Sequence, residues 1–173
     1  STSSLGSVGT IGGVGCCLTS YTMAHNYLIN PDKELTPDIA AEAGRRMGGF
    51  TSNGLVKHAA LSRALNMVFR DSPEKNAAFF KNASPKDLKN FFDSALDSGD
   101  ALVVHVDWRD DPRGDHWIMC WKKDNNGDYY CNDPGGGKVV IINKNTFIGN
   151  TTSKGKPIQY RVVKAFRVGR PEA

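Results

Sequence analysis

Apolar residues fall at helical spacing in the first half of the chain and at strand spacing in the second, with the changeover at Gly99. Residues 16–29 place Leu18, Tyr21, His25 and Leu28 on one face, which predicts a helix that stops ahead of Pro31. Thr36-Pro37-Asp38 combines an N-cap residue, a first-turn proline and an acid, so a second helix is expected from there to Gly48-Gly49. A third is expected over 54–66, leading into a short apolar strand at 67–69. Ser84-Pro85-Lys86-Asp87 opens a fourth, with Leu88, Phe91, Phe92, Ala95 and Leu96 turned inward. Beyond Gly99, segments 101–106, 116–121, 128–131, 138–142 and 159–166 read as strands. Asp124-Asn125-Asn126-Gly127 supplies a hairpin turn between two of them. Helices first and antiparallel strands second predict one α+β domain, a helical N-terminal layer packed on a C-terminal antiparallel sheet.

Composition narrows the function classes. The chain has 173 residues, 39% hydrophobic and 23% charged, which suits a single folded domain and argues against disorder. Its net charge of +4 is spread thinly, with no basic run, so nucleic acid is not expected as a partner. No stretch reaches the roughly 18 apolar residues that span a bilayer, and no signal-peptide core is visible at the start. The chain opens on Ser1, which is consistent with excision from a longer protein. Four cysteines are too few for a disulfide scaffold and lack metal-ligand spacing, so no metal or other cofactor is expected.

What remains is a reactive thiol. The first fifteen residues are rich in Gly, Ser and Thr and read as a loop, so Cys16 stands where that loop meets a helix N-terminus. There the helix dipole favours a thiolate. Cys17 is one position round the helix and faces the core, while Cys120 and Cys131 lie within or at the end of strands. A base is needed beside the thiol. His25 and His58 fall in helices and His105 in an apolar strand, whereas His116 opens a strand after the polar loop 110–115. If the following hairpin turns at Asn125-Asn126, His116 faces about residue 135. That puts Asp133 on the diagonal, able to orient the imidazole. Asp115 is the rival acid, but adjacent strand residues point to opposite faces.

These segments resemble those of the double-glycine cysteine peptidases, the papain-like domains of bacteriocin-exporting ABC transporters, and more closely their free-standing bacterial relatives. The residues concerned are Thr10-Ile11-Gly12, then Gly15-Cys16-Cys17-Leu18-Thr19-Ser20, the Ser52-Asn53-Gly54 turn, Leu96-Asp97-Ser98-Gly99, Asp115-His116-Trp117 and Asn132-Asp133-Pro134-Gly135. The resemblance implies a papain-like fold, with Cys16 as nucleophile, His116 as general base and Asp133 as orienting acid. It also implies an oxyanion hole built from the Cys16 backbone N–H and an upstream side-chain donor. Transporter-associated members use a glutamine there; the one glutamine here is Gln159, so Thr10 and Ser7 become the candidates, with Trp117 beside the base as a further binding residue. The implied substrate is a protein or peptide cut after Gly-Gly. The implied setting is a bacterial toxin or effector acting in a reducing cytoplasm and matched by an immunity protein. A cell-wall amidase, transglutaminase or deamidase built on the same Cys-His-Asp set is the alternative, and a non-catalytic peptide-binding module is another.

Overall fold

The computed structural model describes the backbone of residues 4–5, 9–108 and 116–172, and side chains from Gly15 onward within those ranges. A two-stranded ribbon, β1 (Ser4–Leu5) and β2 (Gly9–Thr10), leads directly into α1 (Ile11–Ile29). The helix therefore starts five residues before Cys16, where a glycine-rich loop was expected.

Four more helices follow. In α2 (Pro37–Arg46) the Thr36 hydroxyl accepts from the Ile39 N–H, and Asp38 and Arg45-Arg46 sit at the ends that the helix dipole favours. The third, α3 (His58–Ala64), is shorter than its sequence suggested and hands over to β3 (Val68–Phe69) through Asn66 at φ 61°. Next comes α4 (Pro73–Asn82), which had no counterpart in the sequence reading. It is anchored by Asn76, whose buried amide donates to the Ala165 carbonyl. The last helix, α5 (Pro85–Asp97), opens on a reciprocal capping box between Ser84 and Asp87, so two donors at its N-terminus are satisfied.

The strands are β4 (Ala101–Asp107), β5 (His116–Lys123), β6 (Tyr129–Asp133), β7 (Lys138–Ile142), β8 (Ile148–Ser153) and β9 (Lys156–Gly169). They pair in the order β9-β4-β5-β6-β7-β8 and return to β9, with β3 added outside on β9. The papain-like fold, with helices layered over an open sheet, is corrected by this closure: the six antiparallel strands form a barrel. Two features account for the difference. The closing strand β8 is Ile-Gly-Asn-Thr-Thr-Ser, too polar to announce itself by alternation. And β9 is 14 residues long, enough for its first half to pair with β8 and its second with β4. Val163 is left over in the β4 ladder as a bulge, which bends the strand round the corner.

Alternation along β4 and β5 feeds two cores. Leu102, Val104, Val106, Ile118 and Cys120 point into the barrel with Tyr129, Ile142 and Phe147, where Phe92 and Ala95 of α5 join them. Ala101, Val103 and Met119 point outward against Leu18, Tyr21 and Ala24 of α1. At roughly 1.5–3 kcal/mol for each buried large apolar side chain, this second core is what holds α1 against the barrel wall. The nucleophile candidate is thereby carried on the helix and its base on the wall.

Candidate active site

His116 and Asp133 share inward parity with Ile118 and Cys131, but they lie at the end of the barrel where the interior opens. A bulge at Trp121 shifts the β5–β6 register by one, so Met119 pairs with Asn132, and continuing that ladder sets His116 opposite Gly135. The two side chains meet at 2.6 Å, His116 Nε2 to Asp133 Oδ1, with side-chain exposures of 17% and 0%. Asp133 is otherwise fully occupied. Tyr160 of β9 donates its hydroxyl to Oδ2 at 2.6 Å, and the Gly135 N–H donates to Oδ1 at 2.7 Å. Burial works against the carboxylate, but His116, Tyr160 and Gly135 together outweigh it and hold its pKa below the usual range.

With Nε2 taken by Asp133, Nδ1 is the ring nitrogen left for Cys16, whose half-buried side chain is hydrogen-bonded to His116. Burial opposes a charged thiolate at Cys16. The hydrogen bond and charge of His116, with backbone N–H donors of Trp117 and Cys17, more than compensate, and the thiol pKa is lowered. The imidazole moves the other way. Burial disfavours its charge, yet Asp133 and Cys16 on either side raise its pKa to about 9. A lowered thiol beside a raised imidazole favours a thiolate–imidazolium pair. Its source differs from the one expected. Cys16 lies in the second turn of α1, beyond the reach of the helix dipole, and the helical i−4 pattern commits its backbone N–H to the Gly12 carbonyl.

The other thiols and imidazoles are built into the structure. Cys17, Cys120 and Cys131 are buried; burial pushes the Cys17 and Cys131 thiols well up. His25 Nδ1 lies 2.6 Å from the Leu65 carbonyl oxygen, and His58 Nδ1 lies 2.7 Å from the Tyr21 hydroxyl. Burial lowers His58 to about 3, so it is neutral. His105 stacks flat on Trp117, with ring centroids 4.0 Å apart.

Thus the structure brings Cys16, His116 and Asp133 together and sets Trp117 beside them, its ring packed against His105, His58 and Phe166. Its indole is engaged in that stack, while its backbone N–H reaches Cys16. Ser7 lies outside the described residues, as does the side chain of Thr10, whose backbone belongs to β2. Asp115, the rival acid, is also outside them. Tyr160 and Gly135 were not singled out as site residues from sequence: Tyr160 reads as one more strand aromatic, and Gly135 as a turn residue. Among the described residues, no group of three or more His, Cys, Asp or Glu side chains could hold a metal, and no helix is long and apolar enough to cross a membrane. No protein-family model matches the chain, and no curated protein is significantly similar to it.

Proposed function

We propose that the chain is a cysteine peptidase in which Cys16 is the nucleophile, His116 the acid–base and Asp133 the group that orients His116. The observation that carries this is the continuous Cys16–His116–Asp133 hydrogen-bonded chain with opposed pKa shifts on its first two members. The thiolate attacks a peptide carbonyl carbon; the C–S bond forms as the C=O π pair moves to oxygen. Collapse of that adduct breaks the C–N bond, and the departing nitrogen takes the proton from His116, leaving a thioester on Cys16. Neutral His116 then removes a proton from water, which attacks the thioester. The acid product leaves and the thiolate is restored, so the sum is peptide plus water. Asp133, held by Tyr160 and Gly135, keeps the ring turned so that Nδ1 faces the thiol through both halves.

The resemblance to double-glycine peptidases extends the proposal to cleavage after Gly-Gly, in a bacterial effector countered by an immunity protein. The test is a mass-spectrometric assay of Gly-Gly peptides alongside purified peptidoglycan, with Cys16→Ala as control. Peptide cleavage after Gly-Gly, lost by about 10⁴-fold in Cys16→Ala, is the expected result. Release of muropeptides without peptide cleavage would make it an amidase instead. Peptide binding without turnover at any pH would make it a binding module.

A further inference from the structure

The barrel is closed unevenly. On their outer sides β7 pairs with β6 at five positions and β8 with β9 at six. Between themselves β7 and β8 pair only at Ile142 and Gly149. From that contact they diverge towards the barrel end that carries His116, leaving two strand edges that face one another. Backbone groups on such edges need partners. One of them is visible: the Thr152 carbonyl faces the seam and accepts a hydrogen bond from the Nζ of Lys138 across it. A flexible, half-exposed lysine stem thus stands where a ladder partner would be.

The seam widens into a cleft of about 370 Å³ that begins at His116 and Tyr160. Gly136 and Lys138 form one wall, Thr152 and Ser153 the other, and Ile158 lines it as well. Cys16 does not line it. In peptide hydrolysis by a Cys–His pair, the leaving nitrogen receives its proton from the imidazole, so the leaving segment departs on the imidazole side, away from the thiol. The cleft lies on that side.

We infer that the substrate segment following the scissile bond binds here as an added strand on the edge of β8, displacing Lys138 from the Thr152 carbonyl. This rests on the peptidase proposal and deepens it: the substrate class is an extended polypeptide with several residues after the cut, not a small amide. Strand addition supplies main-chain hydrogen bonds irrespective of side chains, so affinity grows with the length of the leaving segment. The binding is continuous with the catalytic pair, since His116 belongs to both.

The experiment is a peptide series with identical residues before the scissile bond and one, three or five after it, measured as kcat/KM. A rise of about tenfold or more from one to five residues is expected, mostly through KM. Ser153→Trp, which fills the cleft from the β8 side, is expected to remove that gain, and a urea midpoint matching that of the unaltered protein reports correct folding. Equal kcat/KM across the series, or a full gain retained in Ser153→Trp, overturns the inference and leaves the peptidase proposal standing. Cleavage of none of the peptides overturns both.

Discussion

At the scale of single residues, the candidate site turns on how charge is shared along four side chains. With His116 at about 9 and Cys16 below its usual value, the thiolate–imidazolium pair is populated from the lowered thiol pKa up to about pH 9. The sign follows from the roles. Above about 9 the imidazolium loses the proton that the leaving nitrogen needs, and at low pH the thiolate is protonated. A bell-shaped kcat/KM profile with its alkaline limb near 9 is expected; an activity still rising at pH 10 would contradict it. In Cys16→Ala, NMR titration of His116 should give a pKa below about 9, because one of its two charged neighbours is gone. Tyr160→Phe leaves Asp133 Oδ2 buried without its hydroxyl donor, so a stability loss of about 1–3 kcal/mol is expected. The carboxylate pKa should rise and turnover should fall several-fold, measured by denaturant melts and kinetics. Gly135→Ala tests the same carboxylate sterically. An added Cβ would sit 3.0 Å from Asp133 Oδ1 and 3.4 Å from His116 Nε2, so kcat should drop with little change in KM for the same peptide. Three of these residues were legible because each sits at a recognisable boundary: Cys16 after glycines, His116 after a polar loop, Asp133 before a proline. Tyr160 was not, because its partner lies 27 residues back on β6, a strand that does not pair with β9.

At the scale of elements, local signals were reliable where the backbone itself demands a residue type. The Thr36 cap and the Ser84–Asp87 capping box mark real helix starts, since unsatisfied N–H groups there need side-chain acceptors. Ser84→Ala should therefore lower stability by about 1 kcal/mol and leave kcat unchanged, because α5 supports the barrel core far from Cys16. The element signals that failed had a common character. In α4, Lys75, Lys81 and the exposed Phe79 blur the apolar stripe, and its anchor is a polar Asn76 bonded to β9. At the start of α1, Gly12, Gly13 and Gly15 argue for a loop, yet the helix begins at Ile11. Glycine lowers helix propensity by about 1 kcal/mol per residue, a preference that tertiary packing readily overrides. The difference matters for chemistry, since it moves the origin of thiolate stabilisation from the helix end to the neighbouring strand.

At the scale of the whole molecule, the helices-then-strands order was visible in the sequence but the closure was not, because closure depends on β8 and its single ladder pair with β7. That contact is tight. A Cβ at Gly149 would come within 2.7 Å of Ile142 Cδ1 and 2.8 Å of Val140 Cγ1, so side chains that fill the barrel interior must give way. Gly149→Ala is expected to cost about 1–3 kcal/mol through overpacking. Equilibrium unfolding in urea would show it as a lower midpoint with an unchanged slope. The strand that completes the barrel also has a temporal meaning. Cys16 precedes the His116–Asp133 pair along the chain, and that pair is made by residue 133, but Tyr160 and the second halves of two ladders arrive only with β9. A nascent chain halted before residue 156 lacks the wall on which β4 and β8 both depend, so its thiol and imidazole have no fixed separation. If the protein is a peptidase, it stays harmless to the ribosome and chaperones that handle it until nearly all of these residues have emerged, and its last long strand acts as the arming step.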